Sequence, residues 1–201
     1  GLQRRRGPAG VGANGVFLMD TRDGGSERLH VKLAADRMPA PGRMRIGGLS
    51  MGFSLSAALA SAGVGEVHVL ERESAVIRWN RGLLAPFNAG ALSDPRVQTH
   101  EADVVDWLAH APSGSLDAIC LDVDNGPDWL VSPGNGWLYE DEGLRTAARV
   151  LSAGGVLTIW SAAPNPVFAA RMSDHFTEVD VTAVSAARGE PDVILRGTGP
   201  R

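Results

Sequence analysis

From residue 43 onward the chain alternates short apolar runs with helix-length amphipathic ones, and that alternation leaves few folds open. Runs at 44–47, 66–70, 97–101, 118–122 and 155–160 have the length and apolar content of strands. Between them, residues 53–62, 74–84, 103–109 and 140–151 carry apolar side chains at helical spacing. Repeated strand–helix units predict an α/β architecture with a mostly parallel sheet and helices on both faces. Right-handed crossovers then bring the C-terminal strand ends to one edge, where a ligand would sit. A helix (166–175) and two strands (178–184 and 192–196) follow, so the sheet is expected to close with an antiparallel strand.

The first 42 residues have a different character. Residues 1–14, rich in glycine and arginine, predict a flexible terminus. Residues 15–21 and 27–33 are apolar-rich and flank Arg22-Asp23-Gly24-Gly25, a turn signal, so a short β-hairpin is expected. Two prolines make 38–42 a linker. The organisation is therefore a flexible N-terminus with a hairpin over 1–42, then one α/β domain over 43–201.

With 201 residues, 44% of them hydrophobic, the chain can bury one core without staples. No apolar run is long enough to span a bilayer and no signal-peptide core follows the opening arginines, which predicts a cytoplasmic protein with no membrane partner. The net charge of −4 gives no reason to expect nucleic-acid binding. Arg4-Arg5-Arg6 suits either an anionic partner or a solvated terminus. The single cysteine, Cys120, rules out an intrachain disulfide, and its apolar neighbours make it a packed thiol rather than a nucleophile.

The chemistry-bearing residues fall where the topology would collect them. Gly47, Gly48, Ser50 and Gly52 form a small-residue turn after the first strand of the alternation, and Glu71 ends the next strand. Such a turn lets backbone approach a ligand, and a carboxylate about twenty residues on can accept from both ribose hydroxyls. The same glycines would also serve a plain tight connection. Arg72 begins the helix after Glu71. Asp103, with Val104 behind it, ends the third strand and suits either an adenine amino group or the cap of the following helix. Asp122 ends the most apolar strand of the chain, where a carboxylate is seldom left without a partner, and is the best catalytic candidate.

Beyond Asp122 the chain runs through Asp124, Asn125, Gly126 and Pro127 to Trp129 and Tyr139. A long loop with aromatic and glycine residues is either a lid over a substrate or a cover for the sheet edge. The five histidines lack ligand spacing, so no metal is expected; His68 and His100, alternating with apolar residues, read as hydrogen-bonded structural histidines. A serine-hydrolase elbow and a phosphate-cradling loop are absent, and Ser50 breaks the dinucleotide glycine spacing, which disfavours an NAD-linked enzyme.

Taken together, residues 43–196 resemble the spermidine synthase-like branch of the class I S-adenosylmethionine-dependent transferases, whose sheet is Rossmann-like. The resemblance rests on the Gly47 to Gly52 turn, Val69-Leu70-Glu71, Asn88-Ala89-Gly90-Ala91-Leu92-Ser93-Asp94-Pro95-Arg96-Val97, Glu101-Ala102-Asp103, the strand ending at Asp122, Leu138-Tyr139 and the Gly154-Gly155 turn. It implies S-adenosylmethionine or its decarboxylated form as cofactor, held by Gly47, Gly48, Ser50, Gly52, Glu71, Arg72, Asp103, Val104 and Asp122. It also implies Asp122 as the catalytic carboxylate and a small-molecule substrate contacted by Asp124, Asn125, Trp129 and Tyr139. Homodimer formation is a further implication. The family's D-[ST]-x-D-P loop is replaced by Asp122-Val123-Asp124-Asn125-Gly126-Pro127, with Asn125 where the second aspartate belongs. Two functions follow: methyl or aminopropyl transfer to a small nucleophile, or a non-catalytic nucleoside-binding or assembly protein that keeps the fold.

Overall fold

The computed structural model describes residues 24–184 and 191–201 in full and, before them, the backbone of three strands. These are β1 (Leu2–Arg4), β2 (Ala9–Ala13) and β3 (Val16–Asp20), an antiparallel sheet in the order β1-β2-β3. The strand expected at 15–21 thus forms as β3, but its partner is β2, from the segment expected to be flexible. Arg5, Arg6 and the expected turn at 22–23 lie outside the described residues.

The second strand of the expected hairpin is instead a helix, α1 (Gly25–Ala35). Its buried residues Glu27, His30, Val31 and Ala34 recur at steps of three, one and three, the stripe of a helix and not the period-two alternation of a strand. That stripe lies on the main sheet, so α1 is part of the α/β core and not of a preceding hairpin.

The remaining strands are β4 (Gly42–Gly47), β5 (Val64–Glu71), β6 (Val97–Glu101), β7 (Leu116–Leu121), β8 (Leu151–Ser161), β9 (Phe176–Val184) and β10 (Asp192–Pro200). They form one sheet in the order β6-β5-β4-β7-β8-β10-β9. Strands β4 to β8 are mutually parallel and β10 runs antiparallel to both its neighbours. The chain order reverses between β4 and β7, which makes the cleft at their C-terminal ends the expected ligand position.

Helices α2 (Phe53–Ala60) and α3 (Ser74–Arg81) join α1 on one face, where Val31, Leu55, Ala58 and Ile77 meet Ile46, Val67, Val69 and Cys120. Helices α4 (Val104–His110), α5 (Asp141–Val150) and α6 (Pro166–His175) cover the other, where Leu108, Leu144, Phe168 and Met172 meet Leu70, Ile119, Leu121 and Leu157. Cys120 is fully buried, and burial pushes its thiol up to about 12, which suits packing and not chemistry. No helix among the described residues is long and apolar enough to cross a membrane.

Polar side chains low on the α4 face are tied together. Asp117 accepts from the Arg43 backbone N–H and guanidinium and from Ser152. His68 stacks on His100 with Nδ1 and Nε2 3.0 Å apart, and its other nitrogen lies 2.6 Å from Glu66. Arg45 stacks 3.6 Å from the Trp107 ring centroid. These histidines are structural, as their strand positions imply.

Ile119 sits at the centre of β7 with no solvent exposure. Ile119→Ala should lower the free energy of unfolding by about 2–5 kcal/mol, and Ile119→Val by about 0.5–1.5 kcal/mol, in denaturant titrations whose slope is unchanged.

Candidate functional site

The site is built on the turn between β4 and α2. Asp122 N–H donates to Gly47 O at 3.0 Å and Gly48 N–H to Leu70 O at 2.9 Å, so one turn is tied to the ends of β7 and β5. Gly48 has φ +91°, and a Cβ there would lie 2.2 Å from the Asp122 carbonyl oxygen. Only glycine lets the turn rest against that strand end. Ser50 also takes a positive φ, 44°.

Gly52 is confined by two residues that the sequence reading did not single out as functional. A Cβ on it would meet Asn88 Nδ2 at 2.6 Å and Asn80 Oδ1 at 2.7 Å. Asn80 donates to Ser50 O at 2.8 Å, and Asn88 donates to Met51 O at 3.2 Å and to Asn80 Oδ1 at 2.7 Å. Both are about fully buried, at 1% and 2% exposure. Asn88 opens the N-A-G-A-L-S-D-P-R-V segment, and that was the available signal. The rest of the segment is a brace: Asp94 holds Arg96, whose guanidinium donates to Leu59 O and Val64 O.

Three expected carboxylates line one sheet edge. Glu71, at the end of β5, accepts from Leu49 N–H at 3.1 Å through Oε2 and from Glu73 N–H at 2.8 Å through Oε1. Each oxygen keeps a lone pair for a further donor. Asp103 caps α4 through Oδ1, 2.8 Å from Val105 N, while Oδ2 lies 3.7 Å from Arg72 Nη1. Capping is therefore realised through Oδ1, while Oδ2 faces Arg72. Arg72 also donates to Ser132 Oγ at 3.3 Å, linking this edge to the loop after β7. Val104 is buried beside Gly47.

Asp122 differs from the others. Its half-buried side chain makes no hydrogen bond or ion pair among the described residues. Burial, aided by the carboxylates of Glu27 on α1 and Asp192 at the start of β10, raises its pKa to about 7. Glu27 and Asp192 were also missed by the sequence reading, Glu27 because its segment was assigned to a strand.

The four residues after Asp122 that the resemblance made substrate contacts have unequal positions. Asp124 is buried, at 4% exposure, and accepts from Val131 N–H, Asn135 Nδ2 and Tyr139 Oη at 2.6, 3.0 and 3.1 Å. It organises the loop from within. Tyr139 is buried against Phe168, and burial beside Asp124 raises its phenol further above the ordinary range. Asn125 is tied by its backbone to Trp129 and Ala162, and Trp129 is 62% exposed. No metal-holding group of histidine, cysteine and carboxylate side chains occurs among the described residues.

Asn88→Ala would leave the Met51 carbonyl and Asn80 without a buried donor, at a cost of about 1–3 kcal/mol, and should speed amide hydrogen exchange across Gly48 to Gly52 before it does so elsewhere. Asp122 supplies a pH test. Its folded pKa lies above the unfolded value of about 3.9, so its contribution to stability is fully present at low pH and lost as pH rises through about 7. Stability measured in denaturant should therefore fall more in the wild type than in Asp122→Asn as pH rises from about 4 to 7, and the two should run parallel above that.

No family model matches the chain. It is similar to the polyamine aminopropyltransferase of Mycobacterium tuberculosis, 33% identical over 115 residues that make up 56% of this chain and 21% of that protein. The chain thus spans about a fifth of that relative's length. A spermidine synthase solved in complex with the transition-state analogue AdoDATO superposes with a TM-score of 0.79 at 17% identity, covering 94% of this chain and 66% of the other. A predicted O-methyltransferase from Agrobacterium tumefaciens superposes with a TM-score of 0.57 at 19% identity, covering 86% and 80%. The mostly parallel sheet closed by an antiparallel strand is the one expected, and the chain is a spermidine synthase-like protein built on the class I methyltransferase fold.

Proposed function

We propose that this protein transfers an alkyl group, aminopropyl in preference to methyl, from a sulfonium nucleoside to a small amine. The observation that carries this reading is Asp122: a half-buried carboxylate at the reversal point of the sheet, with no hydrogen-bonding partner among the described residues and with Glu27 and Asp192 near enough to raise its pKa. Those three carboxylates favour a cationic acceptor and disfavour an anionic one. The similarity to a polyamine aminopropyltransferase favours the same acceptor class.

The residues present fit S-adenosylmethionine or its decarboxylated form. Glu71 retains lone pairs for the ribose hydroxyls, Asp103 Oδ2 remains for the adenine amino group, and the turn from Gly47 to Gly52 offers close backbone approach. The bound nucleoside supplies a carbon activated by the sulfonium. The acceptor nitrogen attacks that carbon with its lone pair, the carbon–sulfur bond breaks, and its electrons remain on sulfur as a thioether. Asp122 takes the proton that the new ammonium must lose and passes it to solvent.

Calorimetry with S-adenosylmethionine, its decarboxylated form and methylthioadenosine, followed by turnover with putrescine, tests the reading. Asp122→Asn should lower kcat by about 10²–10⁴-fold while leaving methylthioadenosine affinity within a few-fold. Failure to bind any of the three nucleosides would overturn it.

A second reading is a nucleoside-binding protein without transfer activity. Asn125, standing where the family loop carries its second aspartate, favours it. Binding without turnover for every donor and amine, with Asp122→Asn silent, is its expected outcome.

A further inference from the structure

Strand β6 lies at the edge of the main sheet and, among the described residues, pairs with β5 alone. Beyond its last residue the chain runs directly into Asp103 and α4. On the α4 face of these two strands, Gln98, Glu66, His68 and His100 form a hydrogen-bonded chain. We propose that Glu66, His68 and His100 act as a proton-counting pin, which holds β6 to the sheet with at most one added proton and releases it when acid supplies a second.

The hydrogen count fixes how the pin works. Glu66 Oε1 accepts from Gln98 Nε2 at 2.8 Å and lies 2.6 Å from His68 Nε2, so that ring nitrogen carries a hydrogen. His68 Nδ1 and His100 Nε2 are 3.0 Å apart, and one hydrogen must lie between them. In the neutral pair it belongs to His100 Nε2, which donates to the bare His68 Nδ1. A proton can then add at His100 Nδ1, which has no hydrogen bond among the described residues, without disturbing the bridge. If the bridging hydrogen crosses to His68, the positive charge moves with it. A second added proton leaves every ring nitrogen with a hydrogen. Nδ1–H then faces Nε2–H, and the attraction becomes a repulsion between two imidazolium rings.

The surrounding charges decide where each proton rests. Glu66 on β5 favours a charge on His68, whereas Arg45 on β4 opposes one on His100. Burial, Arg45 and His68 together hold the His100 pKa below its ordinary value. Arg43, also on β4, is engaged by Asp117 on β7. On α4, Trp107 stacks on Arg45, while Asp106 and His110 are exposed. Among the described residues Glu66 is thus the one carboxylate bonded to the pair, a counter-charge for one added proton and not for two. Release bears on the site through position: Ala102 N–H donates to Glu71 O at 3.2 Å, so a β6 that lifts from β5 carries Asp103 away from Glu71.

The test is amide hydrogen exchange and imidazole nitrogen NMR of the full chain from about pH 7.5 to about pH 5, across the ordinary histidine range. Exchange at Gln98–Glu101, corrected for intrinsic rate, should rise severalfold toward acid relative to β7 and β8. That internal comparison removes any global effect of His30, buried in α1 with its pKa lowered to about 4. The two rings should titrate as a coupled pair, with the neutral form of His68 carrying its hydrogen at Nε2. His100→Gln keeps a donor to His68 Nδ1 without a second ionisation and should abolish the rise. Glu66→Gln removes the counter-charge and should move the rise toward neutral pH. Thermal melts check that both variants are folded. Independent titration of the two rings, β6 exchange indifferent to pH, or an acid rise that persists in His100→Gln would overturn the proposal. The consequence for ligand rests on the nucleoside-binding reading: methylthioadenosine affinity should fall more steeply toward acid in the wild type than in His100→Gln, and equal falls would overturn the link to Asp103. A chain that binds no nucleoside fails that reading, while the exchange result still decides the pin.

Discussion

The contact on which the site depends is the approach of the Gly47-Gly48 turn to the end of β7. A backbone hydrogen bond joins Asp122 to Gly47, another joins Gly48 to Leu70, and the missing Cβ of Gly48 leaves room for the Asp122 carbonyl. Three neighbouring strands are thereby held at one level. The positions of Glu71 and Asp122 relative to the turn follow from that clamp. Asn80 and Asn88 hold its far side through the carbonyls of Ser50 and Met51. Polar side chains so fully buried are retained where they satisfy backbone groups that an irregular turn leaves unpaired.

Collecting carboxylates at one sheet edge carries an electrostatic cost, and each one meets it differently. Glu71 and Asp103 accept backbone N–H groups, and Asp124 accepts three donors from its own loop. Asp122 has no such donors, so its charge is relieved by a proton or by a cation brought to it. This difference separates a satisfied carboxylate from an unsatisfied one more sharply than sequence position does. Asp124 and Asp122 are two residues apart, yet one anchors a loop through three donors and the other has no hydrogen-bonding partner among the described residues.

Much of the fold was legible because its signals are local. The helix at Pro166–His175 and the strand at Val97–Glu101 have the expected bounds, since a proline start, a turn and a change of period mark them. At 27–33 the apolar content alone suggests a strand, and the structure makes it part of α1. The stripe of Glu27, His30, Val31 and Ala34 is helical, and only as part of a helix does Glu27 come near Asp122. The N-A-G-A-L-S-D-P-R-V segment was recognised as a signature, but its work as a brace depends on carbonyls distant in the chain.

The sequence by itself determined the alternation of elements, the small-residue turn and the carboxylates at strand ends, because periodicity and backbone chemistry act over a few residues. Only the tertiary structure decided which carboxylates were already occupied. Hydrogen-bond satisfaction and desolvation arise between segments far apart in the chain, and no local pattern records that Asp124 meets Tyr139 or that Asp122 meets the fields of Glu27 and Asp192.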